Sequence, residues 1–396
     1  MSHRPALLLL LAALLTACAG RPEGGALAPV EAAVPGAITH ELFVATTRSR
    51  DDKDPNAMFS GERRSLDEDV PRLDYAHVNV SVPPSHAPGV VEWPKRLPGD
   101  PAKHFVTRSR GYVDGPDDFS ARLRAAVMAK PKGERQVLVF VHGFNTKFDE
   151  GVYRLAQVVH DTGFPGVPVL FTWASRGSVL DYVYDRDSAT LARDALEDTL
   201  DMAAKAGAES VTLFAHSMGN WVAVEALRQA KIAGNPRFGG KLETVVLASP
   251  DIDVDVFKSQ MRRYGEPDPP FLMMVSRDDR ALQLSSFLAG EKPRVGGYTN
   301  DAEIAELGVV VVDLTAVTGA DDLNHAKFTL VGTSFVANLQ ARLAAGDDLD
   351  FAEDQTFGDR LGQIGRGLGS TVGGAAGIII TTPVAILTAP VELLRE

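Results

Sequence analysis

Residues 210–220 read Ser210-Val-Thr-Leu-Phe-Ala-His-Ser-Met-Gly-Asn220, and a helical pattern, Asn220-Trp-Val-Ala-Val-Glu-Ala-Leu227, continues from them. The apolar run stops abruptly at Ala215-His-Ser-Met-Gly219, so the stretch spells a strand, a sharp turn and a helix with Ser217 at the apex. This is nucleophile-elbow geometry, in which the tight turn lifts the serine hydroxyl clear of the sheet. Small residues at 215 and 219 suit a place where strand and helix nearly touch. A helix N-terminus directed at the serine favours negative charge developing there. A Ser-Gly helix start with no chemistry satisfies the same pentapeptide, so the neighbouring segments have to decide.

Upstream, Gln136-Val-Leu-Val-Phe-Val141 is nearly continuous in apolar character, as expected of a strand buried on both faces of a parallel sheet. It runs into His142-Gly-Phe-Asn145. A glycine-softened loop at this place supplies one oxyanion-hole N–H in an acyl-transfer site, and the residue after the nucleophile supplies the other. The expected donors are the backbone N–H groups of Phe144 and Met218. The plainer alternative is a strand-to-helix turn with Asn145 or Thr146 as helix cap.

Downstream, Pro270-Phe-Leu-Met-Met-Val-Ser276 is another buried-strand run and leads to Arg277-Asp-Asp-Arg280. Val309-Val-Val-Val-Asp313 precedes Asn324-His-Ala-Lys327. Serine, acid and histidine thus follow successive strands in that order. His325 is the candidate base that takes the Ser217 proton and returns it to the leaving group; read alone, it is a helix-start histidine. The spacing Ser276, Asp279, Leu282 makes Asp279 the candidate acid that fixes the histidine tautomer. Asp251, after the strand Glu243-Thr-Val-Val-Leu-Ala248, is the alternative acid, and Asp278 a third. Asp251 and Asp253 also read as N-caps ahead of Val254.

These segments, with Tyr184-Asp-Arg-Asp-Ser188, Ser249-Pro-Asp-Ile-Asp253 and Ser276-Arg-Asp-Asp-Arg-Ala-Leu282, resemble the α/β-hydrolase superfamily. More closely, they resemble a bacterial lipase/esterase-like family of undefined substrate. The resemblance spans roughly residues 38–345. It implies an α/β fold with a mostly parallel central sheet flanked by helices on both faces, and a Ser217–Asp279–His325 triad. Ala215 stands where that motif usually has Gly, and Asn324 where Gly is common before the histidine; neither change removes a reacting group.

The N-terminus sets an expected location. Met1-Ser-His-Arg4 is mildly basic, Leu7 to Leu15 is apolar but short for a span, and Leu15-Thr-Ala-Cys18 follows, which together have the parts of a secretory signal. Cys18 is the only cysteine. Its setting resembles the bacterial lipoprotein box, which implies removal of residues 1–17, lipidation of Cys18 and attachment to the cell envelope. With Ala19 next, the expected place is the outer membrane facing the periplasm. Residues 18–37, rich in Ala, Gly, Pro and Glu, read as a flexible tether. Residues 38–345 read as one hydrolase domain. Within it, Ile38–Ala45 and Tyr75–Val82 alternate as strands of an antiparallel edge, 48–74 reads as a surface loop, and 181–207 contains a helix capped by Asp187 with Leu191, Ala195, Leu196 and Leu200 inward. In the tail, residues 346–396, Gly365, Gly369, Gly373 and Gly377 recur every four residues, and Gly367 to Val391 carry no charge. That pattern fits membrane contact, while Pro383, Pro390 and the glycine content fit a helix folded onto the domain or an irregular tail.

Forty Lys and Arg against 52 Asp and Glu give a net charge of −12, with no aromatic-basic stripe, which argues against nucleic acid. The nine histidines form no ligand-spaced cluster, and no dinucleotide fingerprint follows a strand, so neither metal nor cofactor is expected. The expected function is a lipid-anchored serine hydrolase that cleaves carboxylic esters, its substrate a small-molecule or lipid ester. Phe171, Trp173, Tyr182 and Tyr184 are candidates for an apolar acyl pocket. The alternatives are an acyltransferase or amidase on the same triad, or a non-catalytic envelope scaffold.

Overall fold

The computed structural model describes residues 24–67, 70–317, 321, 323–330 and 379–381. Cys18, the expected leader and most of the tail lie outside them. The apolar runs become a ten-stranded sheet in the order β12-β11-β10-β9-β8-β6-β7-β1-β4-β5. Its strands are β1 (Ile38–Thr46), β4 (Asp74–Val82), β5 (Val106–Val113), β6 (Gln136–Val141), β7 (Val167–Thr172), β8 (Ser210–His216), β9 (Leu242–Ala248), β10 (Phe271–Val275), β11 (Val309–Asp313) and β12 (Ile379–Thr381). From β1 across to β11 every pairing is parallel. β4 and β5 add an antiparallel edge beyond β1, and β12 adds one beyond β11. The chain is therefore of the α/β class, and the three residues of the tail that are described join the sheet edge.

Strand residues alternate between two cores. Val139, Phe171, Leu213 and Leu247 face one side, which is covered by α1 (Gly115–Ala129), α4 (Arg193–Lys205), α5 (Gly219–Ile232) and α6 (Val254–Tyr264). Leu138, Phe140, Phe214 and Val246 face the other, covered by α2 (Phe148–Thr162). Burial on both faces is why these strands read as unbroken apolar runs. Three shorter helices complete the set: α3 (Tyr182–Leu191), α7 (Arg280–Leu288) and α8 (Asp301–Ala305).

Several expectations are corrected. Residues 24–36 are not a free tether: Leu27 is buried, the Ala26 carbonyl accepts the Tyr153 hydroxyl at 2.6 Å, and Val30 N–H reaches Thr107 O at 2.8 Å. Buried Ala26 and Leu27, with these bonds and those of the Arg108 guanidinium to Glu31 O and Ala32 O, dock the segment on the domain. Residues 48–74 are not only a surface loop, since β2 (Arg48–Arg50) and β3 (Phe59–Arg63) pair there and Arg48, Met58 and Phe59 are buried. Asp187 lies inside α3 rather than capping it. The segment breaks into two helices at Ala192, leaving Leu191 exposed while Ala195, Leu196 and Leu200 are inward.

Candidate active site

Each parallel strand ends where its chain must turn, and these turns meet at one edge of the sheet. β8 ends at His216, and Ser217 follows in the left-handed region with φ 53°. Its N–H donates to Ala248 O at 2.9 Å, and Asn220 Nδ2 donates to both Ser217 O and Ala248 O at 2.9 Å, which locks the turn. A Cβ on Gly219 would sit 2.5 Å from His142 O, and one on Gly143 would sit 2.7 Å from Ser217 Cβ. Both glycines are thus demanded by close approach, and Gly219 opens α5 with its N-terminus at the serine.

β10 leads to the adjacent aspartates, which point apart. Asp279 Oδ2 lies 2.7 Å from His325 Nδ1, and its Oδ1 caps α7 through Leu282 N–H at 3.0 Å. Asp278 accepts Lys327 Nζ at 2.7 and 2.9 Å, Asn324 Nδ2 at 2.9 Å and Ser276 Oγ at 2.6 Å. Burial raises the Asp278 pKa, but the hydrogen bonds of Lys327 and Ser276 together with the Lys327 charge outweigh it and hold the carboxyl below its usual range. For His325, burial disfavours the cation, yet the charge and hydrogen bond of Asp279 win and raise the imidazole pKa above 6.5. Asp251 is also buried beside the site, but it accepts Ser285 Oγ at 2.5 Å and faces Arg294 Nε at 3.2 Å. Its backbone N–H donates to Ser217 O at 3.2 Å. Of the three candidate acids, then, Asp279 is the one hydrogen-bonded to His325.

Ser217 and His325 line one cavity of about 300 Å³, together with Gly143, Phe144, Tyr182 and Asp251. Among the described residues the N–H groups of Phe144 and Met218 have no hydrogen-bond acceptor, so both donors remain available at the turn. Neither Asn145 nor Thr146 caps α2. That role falls to Lys147, whose N–H donates to Glu150 Oε2 at 2.7 Å. Asp253 caps α6 by accepting Asp255 and Val256 N–H.

The proposed aromatic pocket is corrected. Tyr182 alone of the four lines the cavity. Phe171 and Trp173 are wholly buried, Trp173 stacking on His142 and donating to its carbonyl at 3.0 Å. Tyr184 lies under the guanidinium groups of Arg63 and Arg176. Strand residues that alternate inward belong to the layer under the sheet edge, not to the cavity above it.

Sequence reasoning missed the groups that hold the loop 142–146. Arg48, fully buried, donates from Nε to Thr172 Oγ1 at 2.8 Å, from Nη1 to Ser175 O at 2.8 Å and from Nη2 to Thr146 O at 2.8 Å. Burial lowers its pKa to about 10, which still leaves it charged at neutral pH. His142 Nε2 is 2.8 Å from Thr172 Oγ1, and burial followed by Arg48 lowers its pKa to about 3, so it is neutral. Asp185, also fully buried, accepts Asn145 N–H at 3.2 Å, Arg176 N–H at 3.0 Å and Ser175 Oγ at 2.5 Å. The Tyr184–Ser188 motif marked Asp185 but gave no hint of its partners. His216 is a further neutral histidine, half-buried at the cavity wall and 3.3 Å from the His325 carbonyl, which Ser249 Oγ also approaches at 3.2 Å.

Among the described residues no group of three or more His, Cys, Asp or Glu could hold a metal ion, and no helix is long and apolar enough to cross a membrane.

Residues 117–341 match the model of the family described as "Alpha/beta hydrolase of unknown function (DUF900)", and the chain belongs to that family. Among solved structures it is similar to a Pyrobaculum calidifontis esterase in its monoclinic form, at 13% identity over 68% of this chain and 80% of that chain, with a TM-score of 0.29. No curated protein matches.

Proposed function

We propose that this α/β hydrolase cleaves carboxylic esters through an acyl-enzyme on Ser217. The reading rests above all on the 2.7 Å contact of His325 Nδ1 with Asp279, in the cavity that also holds Ser217 at the apex of its strained turn. Ser217 Oγ attacks the ester carbonyl while His325 Nε2 takes its proton, and Asp279 fixes the tautomer and offsets the imidazolium charge. The tetrahedral oxyanion accepts the Phe144 and Met218 N–H groups. Collapse of that intermediate expels the alcohol, which takes the proton from His325. Water, deprotonated by the same imidazole, then attacks the acyl-enzyme and releases the acid. The chain is attached to the bacterial envelope by lipid on Cys18, and radiolabelled palmitate incorporation that persists in Cys18→Ala would refute that part.

The test of the chemistry is fluorophosphonate labelling of the full-length protein beside Ser217→Ala and His325→Ala. Labelling of wild type that disappears in both variants supports an activated serine. A folded wild type that takes no label refutes it and favours the scaffold alternative.

A further inference from the structure

One wall of the cavity carries a cation that the acyl-enzyme chemistry leaves unused. α2 brings Glu150 and Arg154, one turn apart, to the same cavity as His216, Ser217 and His325. Arg154 Nη1 donates to Gln157 Oε1 at 2.8 Å and to Gly89 O at 3.3 Å. Among the described residues its Nε and Nη2 have no acceptor, and neither atom is sealed from solvent.

A buried relay holds this side chain. Gln157, fully buried, donates through Nε2 to Asp161 Oδ2 at 2.5 Å. Asp161 Oδ1 meets His86 Nε2 at 2.6 Å, and His86 Nδ1 meets Glu92 Oε2 at 2.8 Å. Asp161 Oδ2 also accepts the Gly89 N–H at 2.6 Å. The same loop contributes Val91 and Trp93 to the cavity wall. A guanidinium that merely solvated a helix face would need none of this fixing, because rotamer freedom is lost in holding it.

The carboxylates near Arg154 are Asp321, Asp161 and Glu150. Asp161 is matched by His86, Glu150 accepts Lys147 N–H, and Asp321 Oδ1 accepts Ala326 N–H at 3.0 Å. Among the described residues none is in ion-pair contact with Arg154. A second guanidinium, on exposed Arg280, lines the same cavity. We infer that Arg154 forms a subsite for a carboxylate carried by the ester substrate, received through its free Nε and Nη2 donors. Two N–H groups in one plane suit the two oxygens of a carboxylate. The inference rests on the esterase reading and narrows its substrate to acidic esters.

The experiment compares two 4-nitrophenyl esters of matched acyl length, one ending in a carboxylate and one in a methyl group. It uses full-length wild type, Arg154→Met and Arg154→Lys. Wild type should favour the carboxylate ester by about tenfold or more in kcat/KM, chiefly through KM, and Arg154→Met should bring the ratio to about one. Arg154→Lys should retain part of the preference, since it keeps the charge without the planar fork, and it carries the test if Arg154→Met fails to fold. Equal rates on both esters in a wild type that takes the fluorophosphonate would overturn the subsite and leave the serine chemistry standing. A preference that survives in Arg154→Met would overturn it too. No labelling and no hydrolysis of either ester would overturn the esterase reading, and the subsite with it.

Discussion

The loop after β6 and the loop after β11 both reach the cavity around Ser217, yet they are held by different means. Residues 142–146 are fixed by side chains drawn from β2, β7 and α3: Arg48, Thr172 and Asp185, all buried. The loop carrying His325 is fixed chiefly by two adjacent residues. Asp279 takes the imidazole and Asp278 takes Lys327 and Asn324. The donor half of the site is therefore built into the core, where every removed partner strands a desolvated group. The base half relies chiefly on one pair of carboxylates, with Ser249 and His216 on the His325 carbonyl as lighter supports, and is correspondingly easier to disconnect.

The sharpest way to break this contrast is Asp279→Asn, which should lower kcat by about 10³–10⁴ through the wrong tautomer while leaving the fold intact. Stopped-flow ester hydrolysis with a melting curve checks it; a loss below tenfold would mean that another group orients His325. Asp185→Asn comes next. Replacing one carboxylate oxygen by an amide turns an acceptor into a donor facing N–H and O–H groups, so the loop should shift and kcat should fall about 10²-fold. Little change in KM would place the effect in the transition state. Asp278→Asn should cost less, about tenfold, since the Asp279–His325 pair, Lys327 Nζ on Thr315 O and the Ser249 contact with the His325 carbonyl still hold the loop.

The smallest effects are in pH. The raised His325 pKa places the acid limb of kcat/KM above pH 6.5, because the base must be neutral. Its stabilising pairing with Asp279 is fully present below pH 6.5 and is lost as pH rises through the folded-state pKa, so activity and that contribution run in opposite directions. In Asp279→Asn burial dominates, and the limb of the residual rate should move below 6.5. His86 behaves likewise in stability. Burial lowers its pKa, but Asp161 and Glu92 raise it to about 9. The stability it contributes is present below pH 6.5 and disappears as pH rises through about 9. Melting temperatures of wild type should fall across that window and those of His86→Gln should not.

Much of this was legible in the chain. Continuous apolar runs announced parallel strands, Ala215–Gly219 the serine turn, and the Ser276–Asp279–Leu282 spacing the acid that meets His325. What escaped were partners far apart in sequence. Arg48 lies in a charged stretch whose composition signals solvent, and it is buried by its long-range contacts with Thr172, Ser175 and Thr146 beside the pairing of β2 with β3. Asp185 and Asp187 are indistinguishable as letters, yet one turns under the loop and the other outward. Trp173 and Tyr182 both follow β7, and only the chain's path over the sheet edge decides which of them meets the cavity.

Among the described residues, four of the seven non-glycine residues with positive φ sit around this site: Asn145, Ser217, Ser249 and Asn324. Each gives up about 1 kcal/mol relative to a glycine there. For Ser217 the consequence is a conflict between durability and reactivity. Ser217→Gly should abolish labelling while making the protein harder to denature with urea. Drift that ignored chemistry would run downhill toward that inert, sturdier sequence, so on the esterase reading the serine at position 217 is a feature that only selection for turnover maintains.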